Sequence, residues 1–133
     1  MVSPPAAKPA VLVVEDEDAI AYVLQYALEE DGWAVHRASS GKEAKDLIGR
    51  LPPPSLVTLD IALPDMSGVE LILHIKDTPG WQRVPIVMVT GTPKDEAVNW
   101  AVKSGAKGYI LKPFKPEEVV ETVRRLARRH ESR

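Results

Sequence analysis

Apolar residues in this chain follow two alternating periods. Short continuous runs, Val11-Leu12-Val13-Val14, Leu56-Val57-Thr58-Leu59 and Ile86-Val87-Met88-Val89, are separated by stretches where apolar residues recur every three or four positions. Continuous aliphatic runs mark strands buried on both faces, and the wider spacing marks helices with one apolar face. Strands are predicted at 10–14, 33–37, 56–59, 85–89 and 108–111. The first helix between them carries Ile20, Val23, Leu24, Ala27 and Leu28 and stops at Gly32. The second, at 40–50, turns Ala44, Leu47 and Ile48 inward and closes at Pro52-Pro53-Pro54. The third starts at Ser67, an N-cap with Glu70 three residues on, and carries Val69, Leu71, Ile72 and Ile75. The fourth spans 94–104 around Ala97, Val98 and Ala101 and stops at Gly105. The fifth starts at Pro116 and carries Val119, Val120, Val123, Leu126 and Ala127.

Strict alternation of strand and helix implies an α/β fold, a doubly wound parallel sheet with helices on both faces. With five strands the expected order is 2-1-3-4-5, and the winding reverses between strands 1 and 3. Ligands bind such sheets at the carboxyl edge, beside that reversal. Glu15 and Asp16 end strand 1, Asp60 ends strand 3, Thr90 ends strand 4 and Lys112 ends strand 5. Two carboxylates repel by roughly 4 kcal/mol at 4 Å when the effective dielectric is near 20, so such a cluster needs a cation or a proton in it.

Composition narrows the chemistry. At 133 residues the chain has room for one domain and one modest core. A net charge of −2 gives no global pull toward nucleic acid or an anionic membrane. The absence of cysteine excludes disulfides, thiolate catalysis and cysteine-ligated metals. No apolar run approaches the ~20 residues of a membrane span. Residues 1–9, with three prolines and no long apolar core, read as a disordered leader, and a cytoplasmic location is expected by default. The first strand-to-helix turn, Glu15-Asp16-Glu17-Asp18, has no glycine-rich phosphate loop, which argues against a nucleotide site. Hard oxygen ligands without His or Cys favour magnesium or manganese. A metal, the Lys112 ammonium and the Thr90 hydroxyl around Asp60 would suit phosphoryl transfer to an aspartate, which is mostly positioning and charge neutralisation. Lys112 precedes Pro113, which admits a cis bond there.

These residues carry a resemblance. The acidic pair Glu15-Asp16, the stretch Asp60-Ile61-Ala62-Leu63-Pro64-Asp65-Met66-Ser67-Gly68, the pair Thr90-Gly91 and the run Tyr109-Ile110-Leu111-Lys112-Pro113-Phe114 stand in register on one α/β pattern. The chain resembles a response-regulator receiver domain of two-component signalling, the CheY-like family, over residues 10–127. The resemblance implies a flavodoxin-like receiver domain at 10–130 with a tail at 131–133. It implies that Asp60 is the phosphoacceptor and that Glu15, Asp16, Asp60 and the Ala62 backbone carbonyl hold Mg2+ (or Mn2+). By the same resemblance Lys112 pairs with Asp60 and then with the phosphoryl group. Thr90 bonds that group in the active state, and Tyr109 turns inward behind it. The implied partners are a sensor histidine kinase or phosphotransfer protein upstream, docked through helix 1 and the loop after Lys112, and an effector protein or domain downstream. The latter meets the helix 4–strand 5–helix 5 face; a phosphorylation-dependent dimer is also open. Ala62 and Thr92 offer no acid or amide to orient an attacking water, so slow self-dephosphorylation is expected. Lys107-Gly108 replaces the acidic residues often found before the switch tyrosine, which alters the charge of the output face.

Other features have plainer readings. Glu15 through Asp18 taken alone would be a solvated helix N-terminus. His36, His74 and His130 lack metal-ligand spacing, and Arg124, Arg125, Arg128 and Arg129 read as a solvated last turn without nucleic-acid contact. Trp100 is expected to pack, with an aromatic anchor for a partner as the alternative. A haloacid-dehalogenase-type hydrolase would need a second aspartate where Ala62 stands, so a turnover enzyme is disfavoured. The remaining alternative is a phosphorylation-independent receiver-fold scaffold.

Overall fold

The computed structural model describes residues 8–91 and 95–127, with 95–98 described by backbone alone. Ten elements alternate in order: β1 (Ala10–Val14), α1 (Asp18–Glu30), β2 (Ala34–Ala38), α2 (Gly41–Arg50), β3 (Leu56–Leu59), α3 (Gly68–Lys76), β4 (Ile86–Thr90), α4 (Asp95–Ser104), β5 (Gly108–Leu111) and α5 (Pro116–Leu126). The strands form one sheet in the expected order, β2-β1-β3-β4-β5, and every pairing is parallel.

Side chains alternate across the sheet, so each apolar strand feeds two cores. Leu12, Val14, Val57, Leu59, Ile86 and Met88 meet Ala44 and Ile48 of α2, Leu71, Ile72 and Ile75 of α3, and Ala101 of α4. Val11, Val13, Leu56, Val87, Val89 and Ile110 face the other way, onto Leu24 and Leu28 of α1 and Val119 and Val123 of α5. Fully burying one such aliphatic side chain contributes about 1.5–3 kcal/mol. Truncating Leu12, midway along interior strand β1 and wholly buried, to alanine is therefore expected to cost about 2–5 kcal/mol.

Element ends follow local chemistry. Ser40 caps α2 by accepting from the Glu43 amide at 3.1 Å, and Ser67 caps α3 by accepting from Val69 at 3.1 Å. Glu70 does not complete a capping box; it pairs with Lys45 at 3.3 Å. Pro116 opens α5 as expected, and Gly32 ends α1 at a φ of 95° that a larger residue would resist. Strands 2 and 4 each lie one residue later than predicted, because Trp33 and Pro85 belong to the connections. On α1 the buried face is Ala21, Leu24, Ala27 and Leu28, while Val23 is 37% exposed.

The tryptophans divide three ways. Trp81, in the segment between α3 and β4, is 2% exposed and plugs the α2–α3–α4 core. Trp33 is half-buried and donates its ring N–H to Asp31 at 3.0 Å. Trp100 is 60% exposed, so the packing expected of it is not found. Thr92, Lys94, Arg128, Arg129, His130, the tail at 131–133 and the first seven residues of the leader lie outside the described residues, as do the side chains of Glu96, Ala97 and Val98.

Candidate functional site

Each predicted site residue stands where its strand releases it. The Glu15 amide extends the β1–β2 ladder, donating to Ala38 at 3.0 Å, and the Asp60 amide donates to Val14 at 3.1 Å. The Lys112 amide donates to Thr90 at 2.9 Å, and the Lys112–Pro113 bond is cis. These rungs lock adjacent strand ends together and aim their side chains over one edge of the sheet. Gly68 closes the loop after β3: its amide donates to Ile61 at 2.8 Å, and a Cβ there would lie 2.9 Å from the Asp60 carbonyl oxygen. Any larger residue would push on the backbone that carries Asp60.

Lys112 is the hub. Its Nζ lies 3.0 Å from Asp60 Oδ2, 3.1 Å from Glu15 Oε1 and 3.8 Å from Glu17 Oε1. Burial works against its charge, but hydrogen bonds to Asp60 and Glu15, with the charges of both, hold its pKa above the ordinary lysine value. Glu15 fares differently. Its side chain is 1% exposed, and loss of water raises its pKa despite the shared ammonium. One ammonium gains from several carboxylates, while each carboxylate receives only part of one ammonium.

The cluster can hold a cation. Glu15, Asp16 and Asp60 each offer an oxygen within 4.8 Å of the others, and Asp16 is the most open of the three. Among the described residues, buried Glu15 Oε1 faces the Lys112 ammonium at 3.1 Å but makes no aligned hydrogen bond, so its charge is only partly compensated. A buried carboxylate oxygen in that condition, in an all-oxygen donor set, fits a hard divalent ion.

Thr90 is 3% exposed, paired in register with Leu111 beside Lys112. Asp60 Oδ1 accepts from the Ala62 amide at 3.0 Å, and Ala62 bridges to Ser67. Tyr109 is not brought into the site; it lies on the outer face, 49% exposed. Two contributors were not singled out from sequence. Asp65 accepts from the Gly41 and Lys42 amides at 2.8 Å each, which lowers its pKa and ties the loop after β3 to the start of α2. Arg37 on β2 reaches the backbone of the acidic turn. Asp65 lies inside a quoted motif, but an aspartate 24 residues from its partner carries no local signal.

Residues 11–124 match the family described as "Response regulator receiver domain". The chain belongs to this family. Receiver domains are signalling switches rather than turnover enzymes, and response regulators work with histidine kinases and output domains. Among curated relatives, this receiver domain is 37% identical over 122 residues to the phosphate regulon transcriptional regulatory protein PhoB of Rhizobium meliloti, covering 91% of this chain and 53% of that one. It is 35% identical to the transcriptional regulatory protein SrrA of Staphylococcus aureus, covering 92% of this chain and 49% of that one. The chain thus spans about half the length of these curated relatives. Chemotaxis protein CheY4 of Vibrio cholerae superposes with a TM-score of 0.85 at 28% identity, over 90% of this chain and 99% of that one. The receiver domain of a Pseudomonas aeruginosa sensor histidine kinase, solved with a magnesium ion coordinated in its active-site cleft, superposes with a TM-score of 0.82 at 25% identity, over 90% and 98%.

Proposed function

We propose that this receiver domain is a phosphoacceptor switch in which Asp60 takes a phosphoryl group from a phosphohistidine. The observation that carries this reading is the convergence of Glu15, Asp16 and Lys112 on Asp60. An Asp60 carboxylate oxygen attacks phosphorus, a P–O bond forms, and the P–N bond breaks. The electron pair leaves with the imidazole, yielding an acyl phosphate. Glu15, Asp16, Asp60 and the Ala62 carbonyl would hold magnesium, which would neutralise the phosphoryl charge. Lys112 stays within reach of that charge in both states and so holds Asp60 and then its phosphate in place. Thr90, at the same edge, provides a hydroxyl for a phosphoryl oxygen.

The phosphate adds about 1.5–2 negative charges. Thr90 moving toward it opens space for Tyr109 to turn inward, which biases the α4–β5–α5 face between two arrangements. The donor is a sensor histidine kinase or phosphotransfer protein docking at α1 and the loop after Lys112, and the acceptor of the signal is an effector protein or domain. A cytoplasmic site of action fits such donors; no helix among the described residues is long and apolar enough to cross a membrane.

Incubation with a small phosphodonor and magnesium, followed by intact mass, tests the reading. One phosphate should be gained by the wild type and none by Asp60→Asn or without magnesium. No gain from any donor or kinase would leave the phosphorylation-independent scaffold as the function. With Ala62 unable to orient water, the phosphoprotein should persist well beyond seconds; decay within seconds for the isolated domain would contradict this.

A further inference from the structure

We infer that Arg37 is a positioning residue for the acidic turn, setting how tightly Glu15 and Asp16 can hold a divalent cation. The inference rests on the reading of Glu15, Asp16 and Asp60 as the cation ligands. Arg37 lies on edge strand β2, in register with Val13 two residues before Glu15. Its side chain is only 25% exposed. Its Nε and Nη2 donate to the Glu15 carbonyl at 3.1 and 2.8 Å, Nη2 reaches the Asp16 carbonyl at 3.3 Å, and Nη1 pairs with Asp18 at 2.9 Å. One planar fork thus spans two consecutive carbonyls and the first residue of α1. The direction of the Glu15–Asp16 peptide determines where both carboxylates point, and a rigid five-donor guanidinium can fix it where a lysine cannot.

Geometry and electrostatics predict opposite signs here. Arg37 is a cation beside a site that binds a cation, so by charge alone its removal should tighten binding. By positioning, its removal should loosen the turn and weaken binding. Arg37→Lys separates the two further: it keeps the charge and loses the fork, so charge alone predicts no change.

The test is titration of the whole chain with Mg2+ by calorimetry, for wild type, Arg37→Met, Arg37→Lys and the control Arg124→Met, with hydrogen exchange at the Glu17 amide. That amide donates to Glu15 Oε2 at 3.2 Å and reports the turn directly. Loss of an outer partner of a metal ligand typically weakens metal binding about 10–100-fold. Both Arg37 variants should bind Mg2+ about tenfold more weakly or worse and exchange Glu17 faster, while Arg124→Met changes neither. Unchanged or tighter binding in Arg37→Met or Arg37→Lys overturns the inference and leaves the proposed function standing. If the wild type itself binds no Mg2+, the proposed function fails, and Arg37 is judged by exchange alone: unchanged exchange at Glu17 overturns its positioning role as well.

Discussion

Two ion pairs in this domain, one exposed and one buried, answer to opposite logic. At the outer ends of α1 and α5, Arg124 forks onto Asp31, with its Nε 3.0 Å from Asp31 Oδ2. There the guanidinium engages both oxygens of the carboxylate. The Arg124 hydrogen bond holds Asp31 below the usual carboxylate range, and Asp31 in turn raises Arg124. At the carboxyl edge, Lys112 serves Glu15, Asp60 and Glu17 together. There the lysine is stabilised as a cation while Glu15 is pushed toward protonation. The surface pair is complete as it stands. The buried cluster is short of positive charge, and that shortage is what a divalent ion can fill before an anionic phosphoryl group arrives.

The comparison breaks most sharply at Lys112. Removing one partner of a buried ion pair costs about 3–5 kcal/mol, so Lys112→Met should lose that much in urea unfolding without divalent ions. Magnesium should restore part of it; a loss no larger than that of Asp31→Asn would erase the distinction between the regions. Next, added magnesium should stabilise the wild type by about 2.7 kcal/mol at one hundred times its dissociation constant, and Asp60→Asn by less. A Tm that ignores magnesium would mean the cluster is not short of charge.

Glu15→Gln gives a smaller effect of opposite sign. A carboxyl whose folded pKa is raised contributes stability that is present below its unfolded value, 4.5, and lost as pH rises through the folded value. Without magnesium, Glu15→Gln should therefore be more stable than wild type at neutral pH, and the gain should vanish as pH falls below 4.5. A loss at neutral pH would show that Lys112 fully compensates Glu15. The smallest effect belongs to Asp31→Asn. Its folded pKa is lowered, so its contribution is present above 3.8 and disappears as pH falls below that. Because Arg124 is largely exposed, added salt should weaken it too.

The parts of the site that were legible in sequence share one property: they interrupt an apolar run. Glu15, Asp60 and Thr90 stand out because buried parallel strands are nearly uniform in hydrophobicity, so a polar residue at the end marks the edge; Lys112 ends the short apolar run of edge strand β5, where only Ile110 is buried. The parallel sheet and its order followed from the same uniformity and from the alternation with helices. β2 was less legible because it is an edge strand, half-buried along most of its length. Trp81 fell in a connection with no period to reveal that it turns inward. Trp100 sits on a helix whose alanines gave too narrow a stripe to fix which flank is wet. Arg37 and Asp65 act on backbone groups more than 20 residues away, and backbone partners leave no imprint on side-chain pattern.

The three environments of tryptophan give this protein its own optical channels. Trp81, sealed in the core, should emit at short wavelength and resist acrylamide, changing only when the fold is lost. Trp100, open to solvent on α4, should emit at long wavelength and be quenched first. Replacing Trp33 and Trp81 with phenylalanine would leave Trp100 as the single tryptophan, on α4, so that events at Asp60 could be followed there in real time, with excitation at wavelengths the tyrosines do not absorb and without attaching a dye.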